Sequence, residues 1–280
     1  MVLSTLDRLR AMLGDIPGDV TEVRLRAGRA AQFRGPRGDR FGEIIGAERL
    51  RAALSELADH SLHAREAELR EGFFTMADGS RVGVCGRLIC EGGRASGMAS
   101  VGSVCVRISR EVPGAADGFY PYLFDEGNRA LRSALIVSPP GMGKTTALRD
   151  AARRLSNDGF DVCIADERHE LAACVDGVPT LDVGPRTDVM DGCPKHIAVA
   201  RLVRAASPQV IVTDEIGGPE DAEALADAVR CGARLLASAH AGSVEQLTRR
   251  KDVPVEVFDI LVLLGGAPGN VVEIRNLREE

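Results

Sequence analysis

The stretch Leu135-Ile136-Val137-Ser138-Pro139-Pro140-Gly141-Met142-Gly143-Lys144-Thr145-Thr146 decides the fold. Three apolar residues read as a buried strand. A Gly- and Pro-rich loop follows, and Ala147 to about Asn157 has the pattern of a helix. A loop that cradles phosphate needs this order. Glycines let the backbone bend so that successive N–H groups face phosphate oxygens, and the helix N-terminus adds its positive dipole end. Lys144 is placed to reach the β- and γ-phosphates, and the Thr145 hydroxyl to ligate magnesium. Residues Ser138, Pro139, Pro140, Gly141, Met142, Gly143, Lys144, Thr145 and Thr146 are therefore the expected binding loop for ATP with Mg2+. Ser138 stands where a glycine is usual, a modest conformational cost for a small residue.

Outward from the loop, short apolar runs recur: Ala134–Val137, Val162–Ala165, Val210–Thr213, Arg234–Ser238 and Ile260–Leu264, with Val271–Ile274 as a possible edge strand. Such runs separated by helical segments indicate a largely parallel sheet covered on both faces. Ligands in such sheets sit at the carboxyl ends of the strands, so the residues there are the site candidates. Val210-Ile211-Val212-Thr213 ends in Asp214 and Glu215. Asp214 is expected to hold a magnesium water, and Glu215 to act as general base on the attacking water. Cys163-Ile164-Ala165 ends in Asp166-Glu167-Arg168-His169-Glu170. From there Glu167 or Glu170 could face the γ-phosphate or the attacking water, and a solvated loop explains the same residues equally. One strand intervening between the loop strand and the Asp214–Glu215 strand separates this pattern from simple nucleotide kinases. Ala237-Ser238-Ala239 ends in His240, a candidate to contact the γ-phosphate and report it to a neighbouring subunit.

The first part of the chain reads differently. Residues 3–13 have helical spacing. Glu22–Arg26 alternates, with Val23 and Leu25 on one face. Ala47–Arg70 suggests one or two helices. Phe73–Met76 and Arg81–Cys85 suggest a hairpin about a Gly turn, and Val104–Ile108 another strand. The expected organisation is a smaller N-terminal α+β domain at 1–112, a linker at 113–129, and an α/β phosphate-loop domain at 130–280.

The chain has 280 residues and a formal net charge of -6. Residues 1–130 carry 18 arginines against 18 acids, and residues 131–280 carry 17 basic against 23 acidic residues. The acidity thus belongs to the half that holds the loop. Only Lys144, Lys195 and Lys251 are lysines, and the other 32 basic residues are arginine, so Lys144 stands out as chosen by chemistry. Seven scattered cysteines with no CxxC pair indicate reduced thiols rather than a disulfide framework or a zinc site. No apolar run approaches the roughly 20 residues that span a bilayer. Direct membrane insertion is therefore not expected, and a cytoplasmic protein is.

Several longer stretches carry a resemblance. SPPGMGKTT (138–146), ADERHE (165–170), DVGPRTDVMDGCPK (182–195), ASPQVIVTDEIGGPEDAEAL (206–225) and ASAHAGS (237–243) occur in this order. EVRLRAGRAA (22–31), GSRVGVCGR (79–87) and SVCVRISREV (103–112) precede them. Together they resemble the stage III sporulation protein AA family, within the wider group of type II, type IV and pilus-retraction ATPases. The resemblance covers nearly the whole chain, and RTDVMDGCPK is specific to that family. It implies a RecA-like domain in a homohexameric ring ATPase. It also implies partners among the membrane-embedded proteins of a sporulation channel between mother cell and forespore, and a place on the mother-cell side of that membrane complex. Asp166–Glu170 takes the place of the group's acidic box and Ser238–His240 of its histidine box. Arg24, Arg26, Arg81, Arg87 and Arg107 lie in the region from which such ATPases send arginines to nucleotide, and spacing does not choose among them.

Arg186 is open between a role at the nucleotide or a subunit interface and a plain exposed arginine. The basic stretch Arg26–Arg40 is open between a docking face and a solvated one. The competing class is a nucleic-acid loader or translocase ATPase. A net charge of -6 and an aromatic content of 4% without Trp argue against it, because strand-gripping proteins need basic grooves and stacking rings.

Overall fold

A computed structural model describes residues 4–91, 94–125, 127, 130–248, 250 and 252–278. Lys251, and Glu126, Asn128 and Arg129 at the end of the expected linker, lie outside the described residues. The chain divides into two compact units, Met1–Arg110 and Glu111–Glu280.

The first unit comprises α1 (Thr5–Leu13), β1 (Glu22–Arg26), β2 (Arg29–Gly35), β3 (Gly38–Ile45), α2 (Ala47–Leu57), α3 (Glu66–Arg70), β4 (Phe73–Thr75), β5 (Arg81–Glu91) and β6 (Arg94–Arg107). Its strands form one antiparallel sheet in the order β3-β2-β1-β6-β5-β4. Ser4 caps α1 by accepting the Asp7 N–H at 3.1 Å. Leu50, Ala53, Leu54 and Leu57 repeat at helical spacing on α2 and are buried, which seats that helix on the sheet with Val23, Leu25, Val104 and Val106.

The other sheet face is polar. Register places Asp39, Arg34, Glu22, Arg107, Arg81 and Thr75 in one row across all six strands. Arg24 and Arg26 share that face because they alternate with the buried Val23 and Leu25. Two arginines of the basic stretch have acidic partners. Arg34 pairs with Glu22 and Asp39, and Arg37 pairs with Asp19.

The second unit holds β7 (Ala134–Ser138), α4 (Lys144–Asn157), β8 (Val162–Asp166), β9 (Thr187–Asp191), α5 (Lys195–Ala206), β10 (Val210–Thr213), α6 (Pro219–Arg230), β11 (Arg234–His240), α7 (Val244–Thr248), β12 (Ile260–Leu264) and β13 (Val271–Asn276). The sheet order is β13-β12-β7-β11-β10-β8-β9, parallel except for β13. The strand standing between the loop strand β7 and β10 in the sheet is β11, which carries His240. Side chains of β7 alternate between two cores. Ile136 joins Ala147, Leu148, Ala151 and Leu155 of α4 on one face. Leu135 and Val137 join Val199 and Leu202 of α5 and Leu225 of α6 on the other. Each apolar strand run is thus covered on both sides, which is why the runs are apolar throughout.

The segment from Glu111 folds onto this unit. Ala116, Phe119, Tyr120 and Leu123 are buried in its core. The Asp150 carboxylate on α4 accepts the N–H groups of Gly114 and Ala116 at 3.1 and 3.0 Å. Residues 113–123 therefore differ from the expected linker. Their Pro, Gly and Ala content serves a tight path over α4 rather than freedom.

Candidate functional site

The loop after β7 turns through two left-handed glycines, Gly141 at φ 79° and Gly143 at φ 86°. Ser138 is not among the positive-φ residues, so the position where glycine is usual needs none here. Gly143 starts α4 and no side chain caps it. The first-turn amides are left as donors toward the loop, as anion binding requires. The loop is braced from behind: the Gly269 N–H, in the turn between β12 and β13, donates to the Met142 carbonyl at 2.9 Å.

Lys144 projects from the first turn of α4 into the strand ends and is only 5% exposed. Its ammonium donates to the carbonyl and hydroxyl oxygens of Ser138, both at 3.3 Å, and lies 2.9 Å from Nδ1 of His240. The pairing of His240 with Ser138 across β11 and β7 sets this approach. Burial pushes the Lys144 ammonium down from its ordinary value, and Asp214 and Glu215 partly offset that.

An ammonium only donates, so Nδ1 of His240 carries the lone pair and the ring hydrogen sits on Nε2. Nε2 faces Oε1 of Glu215 at 2.9 Å. The second carboxylate oxygen of Glu215 accepts from the Arg168 guanidinium. Burial would raise the Glu215 carboxyl, but the His240 hydrogen bond and the Arg168 and Lys144 charges outweigh it and hold the group below the usual range. Glu215 is therefore ionised at neutral pH. Its backbone lies at φ 49°, left-handed for a residue with a Cβ, a conformation that costs of order 1 kcal/mol or more and persists only where its surroundings enforce it.

Asp214, one residue earlier, accepts from the hydroxyls of Thr145 and Ser238. The Thr145 hydroxyl and the Asp214 carboxylate are adjacent hard oxygen donors, the set that suits Mg2+. The acidic loop after β8 is pinned beside them. Asp166 accepts the N–H groups of Glu170, Leu171 and Ala172 at 2.9, 3.1 and 2.8 Å, and buried Arg149 donates to the Leu171 carbonyl at 2.7 Å. Glu167, Glu170, Asp214 and Glu215 line one cleft with Lys195.

Of the residues singled out in the sequence, Lys144, Thr145, Asp214, Glu215 and His240 converge in direct contact. Glu167 lines a cleft with Asp214 and Glu215, but its carboxylate is engaged by Lys195 at 2.7 Å. Arg186 lies elsewhere: it pairs with Asp161 at 2.7 Å, just before β8, at the opposite end of the strands. Arg24, Arg26, Arg81 and Arg107 share one sheet face of the first unit, and Arg87 lies further along the β5–β6 pair. Reading the sequence did not single out Ser238, Arg168 or Lys195 as contacts of these groups. Ser238 carried one usable signal: two residues before His240 on a strand, it shares that residue's face.

Comparison with known proteins follows this geometry. A family model described as Sporulation stage III, protein AA matches residues 7–280. Stage III sporulation protein AA of Bacillus subtilis (strain 168) is 35% identical over 285 residues, covering 96% of this chain and 92% of that protein. Among solved structures, that of the pilus retraction motor PilT with bound ADP aligns with a TM-score of 0.57 at 14% identity, covering 98% of this chain and 83% of that one. The Legionella pneumophila ATPase DotB aligns at 0.56 and 12%, covering 92% and 74%. The structural likeness shows a RecA-like phosphate-loop fold. The family match runs through every segment that builds the site, from Ser138 to His240, and by it the chain belongs to the stage III sporulation protein AA family.

Proposed function

We propose that this protein is an ATPase, the hydrolytic motor of a homohexameric ring that drives a sporulation channel or secretion complex between mother cell and forespore. One observation carries the hydrolytic reading. Lys144, Thr145, Asp214, Glu215 and His240 meet at the carboxyl ends of adjacent parallel strands, beside an uncapped helix N-terminus. Residues 138–146 hold the triphosphate through backbone N–H groups and Lys144. Thr145 and Asp214 would hold magnesium. When bound, the ion neutralises charge on the β- and γ-phosphate oxygens. Glu215, ionised and aimed by His240, accepts the proton of the attacking water.

The ring, the membrane-embedded partners and the mother-cell side of the complex are inferred from family membership and from likeness to motors of this fold. Among the described residues no helix is long and apolar enough to cross a membrane, which favours peripheral attachment through partner proteins. In this reading the motor domain begins at Glu111 and residues 1–110 form the N-terminal domain.

The test is steady-state ATP turnover by the purified protein with Mg2+. Glu215→Gln is expected to lower kcat by about two orders of magnitude or more while nucleotide still binds. Lys144→Ala is expected to lose nucleotide binding. A Glu215→Gln variant turning over at the parental rate removes Glu215 as the base. Stimulation by single-stranded DNA, with retention on DNA at physiological salt, replaces the motor reading with that of a nucleic-acid translocase.

A further inference from the structure

We infer that Ser238 is the positioning residue that sets Asp214 and Glu215 in working geometry, an inference that rests on the hydrolytic reading of the site. Ser238 is fully buried on β11. Three of its contacts reach the turn that leaves β10. Its hydroxyl donates to Oδ1 of Asp214. The same hydroxyl oxygen accepts the Glu215 N–H at 3.0 Å. Its carbonyl accepts the Ile216 N–H at 2.8 Å.

These contacts explain why the turn has its shape. Strands β10 and β11 pair in register up to Thr213 and Ala237. The next residue of β11 then holds three successive residues, Asp214, Glu215 and Ile216, so the chain bends back over Ser238 instead of continuing as a strand. Glu215 must adopt φ 49° for this path. The Ser238 hydroxyl and carbonyl supply the enforcement that the left-handed conformation needs. The result is divergent aim. Asp214 presents Oδ2 to Thr145, and Glu215 presents its carboxylate to His240, itself two residues further along β11. The hydroxyl is the only part of the Ser238 side chain that can do this, since a buried alanine offers neither donor nor acceptor.

Two substitutions separate the hydroxyl from its volume. Ser238→Ala removes it, and Ser238→Cys keeps a similar shape with a weak donor and acceptor. The first measurement is amide hydrogen exchange of the nucleotide-free protein over residues 210–218. Both variants are expected to exchange at least about tenfold faster there, the scale of one lost hydrogen bond to a charged group, with exchange in α5 and α6 unchanged. The second is binding of a fluorescent non-hydrolysable ATP analogue, titrated against Mg2+ and repeated in EDTA. The Mg2+ concentration for half-maximal enhancement is expected to rise about tenfold, while affinity in EDTA stays within about twofold. Parental exchange in both variants overturns the inference. So does an unchanged Mg2+ requirement in variants that bind the analogue, or an effect in the alanine variant that the cysteine variant lacks, which would assign it to packing. Should the parent itself bind no analogue, the hydrolytic reading fails, and the exchange experiment still decides whether Ser238 holds the turn.

Discussion

Replacing Arg168 by alanine tests how the proposed base is held. The Arg168 guanidinium contacts one oxygen of Glu215 and His240 the other, so both carboxylate oxygens are occupied. Arg168 is 53% exposed at its side chain and Glu215 is 30% exposed. An ion pair so open to water is worth no more than about 1 kcal/mol. Losing it is therefore expected to raise the Glu215 carboxyl. The sign follows from charge: Arg168 favours the ionised form, so its removal moves the acid limb of the kcat profile to higher pH. The same energy bounds the rate. If the carboxylate must loosen from Arg168 to take a proton from water, kcat above the acid limb rises by at most about fivefold. The assay is steady-state ATP turnover at saturating Mg·ATP between pH 5 and 9, for the parent, Arg168→Ala and Arg168→Lys. Lysine, a point charge without the planar fork, is expected to fall between the other two. A hundredfold loss of kcat in Arg168→Ala with unchanged nucleotide affinity refutes the reasoning, because Arg168 would then be stabilising the transition state rather than restraining the base.

Glu22→Gln probes the arginine row of the first unit. Glu22 is nearly buried and pairs with Arg24 at 2.5 Å, Arg34 at 3.4 Å and Arg107 at 3.6 Å. The arginines remain partly solvated, so the expected loss is about 1 kcal/mol at pH 7, read by denaturant unfolding. Burial raises the Glu22 carboxyl, and Arg24 and Arg34 outweigh it, leaving the group below its ordinary value. Its contribution is then full above the unfolded carboxylate range and lost as pH falls through the folded value. The difference between parent and variant should shrink toward pH 3, and a constant difference refutes the assignment. Asp150→Ala removes the acceptor of two N–H groups and the partner of Arg153 at 2.6 Å. It is expected to cost about 2–3 kcal/mol and to speed exchange of the Gly114 and Ala116 amides. Unchanged protection there would show that apolar packing alone holds the segment.

The second unit's strands were legible because a parallel strand covered on both faces has no polar position to confuse the pattern. Val162–Ala165, Val210–Thr213 and Ile260–Leu264 are apolar at every residue but the last of the second, and the structure has strands there. β9 was not legible, because Thr187-Asp188-Val189-Met190-Asp191 is an edge strand that carries two acids. The hairpin of β2 and β3 was hidden for a related reason. β3 exposes all but Ile45, so its sequence never had to look like a strand. In β5 and β6 only the ends over the core, Arg81–Cys85 and Val104–Arg107, show apolar alternation. The residues between them are rich in Gly, Ser and Ala, with Met98 and Val101 still packed against the core. At the site, residue identities and strand ends were readable, but partners were not. That Lys195 covers Glu167, or that Ser238 supports Asp214, depends on which strands and helices are neighbours, and no local pattern encodes that.

The three central contacts have a consequence as a set. Lys144 donates to Ser138 and to Nδ1 of His240, and Nε2 of the same ring faces Glu215. An imidazole with its hydrogen on Nε2 carries polarity from one contact to the other: what Nδ1 accepts strengthens what Nε2 donates. Lys144 can satisfy a phosphate oxygen only by yielding one of its present acceptors. Of its three contacts, the two to Ser138 are at 3.3 Å and the one to His240 is at 2.9 Å. Were a phosphate to draw the ammonium away from His240, the donor on Glu215 would weaken and that carboxylate would become more basic. On the proposed hydrolytic reading, the histidine would tie the state of the base to that of the lysine.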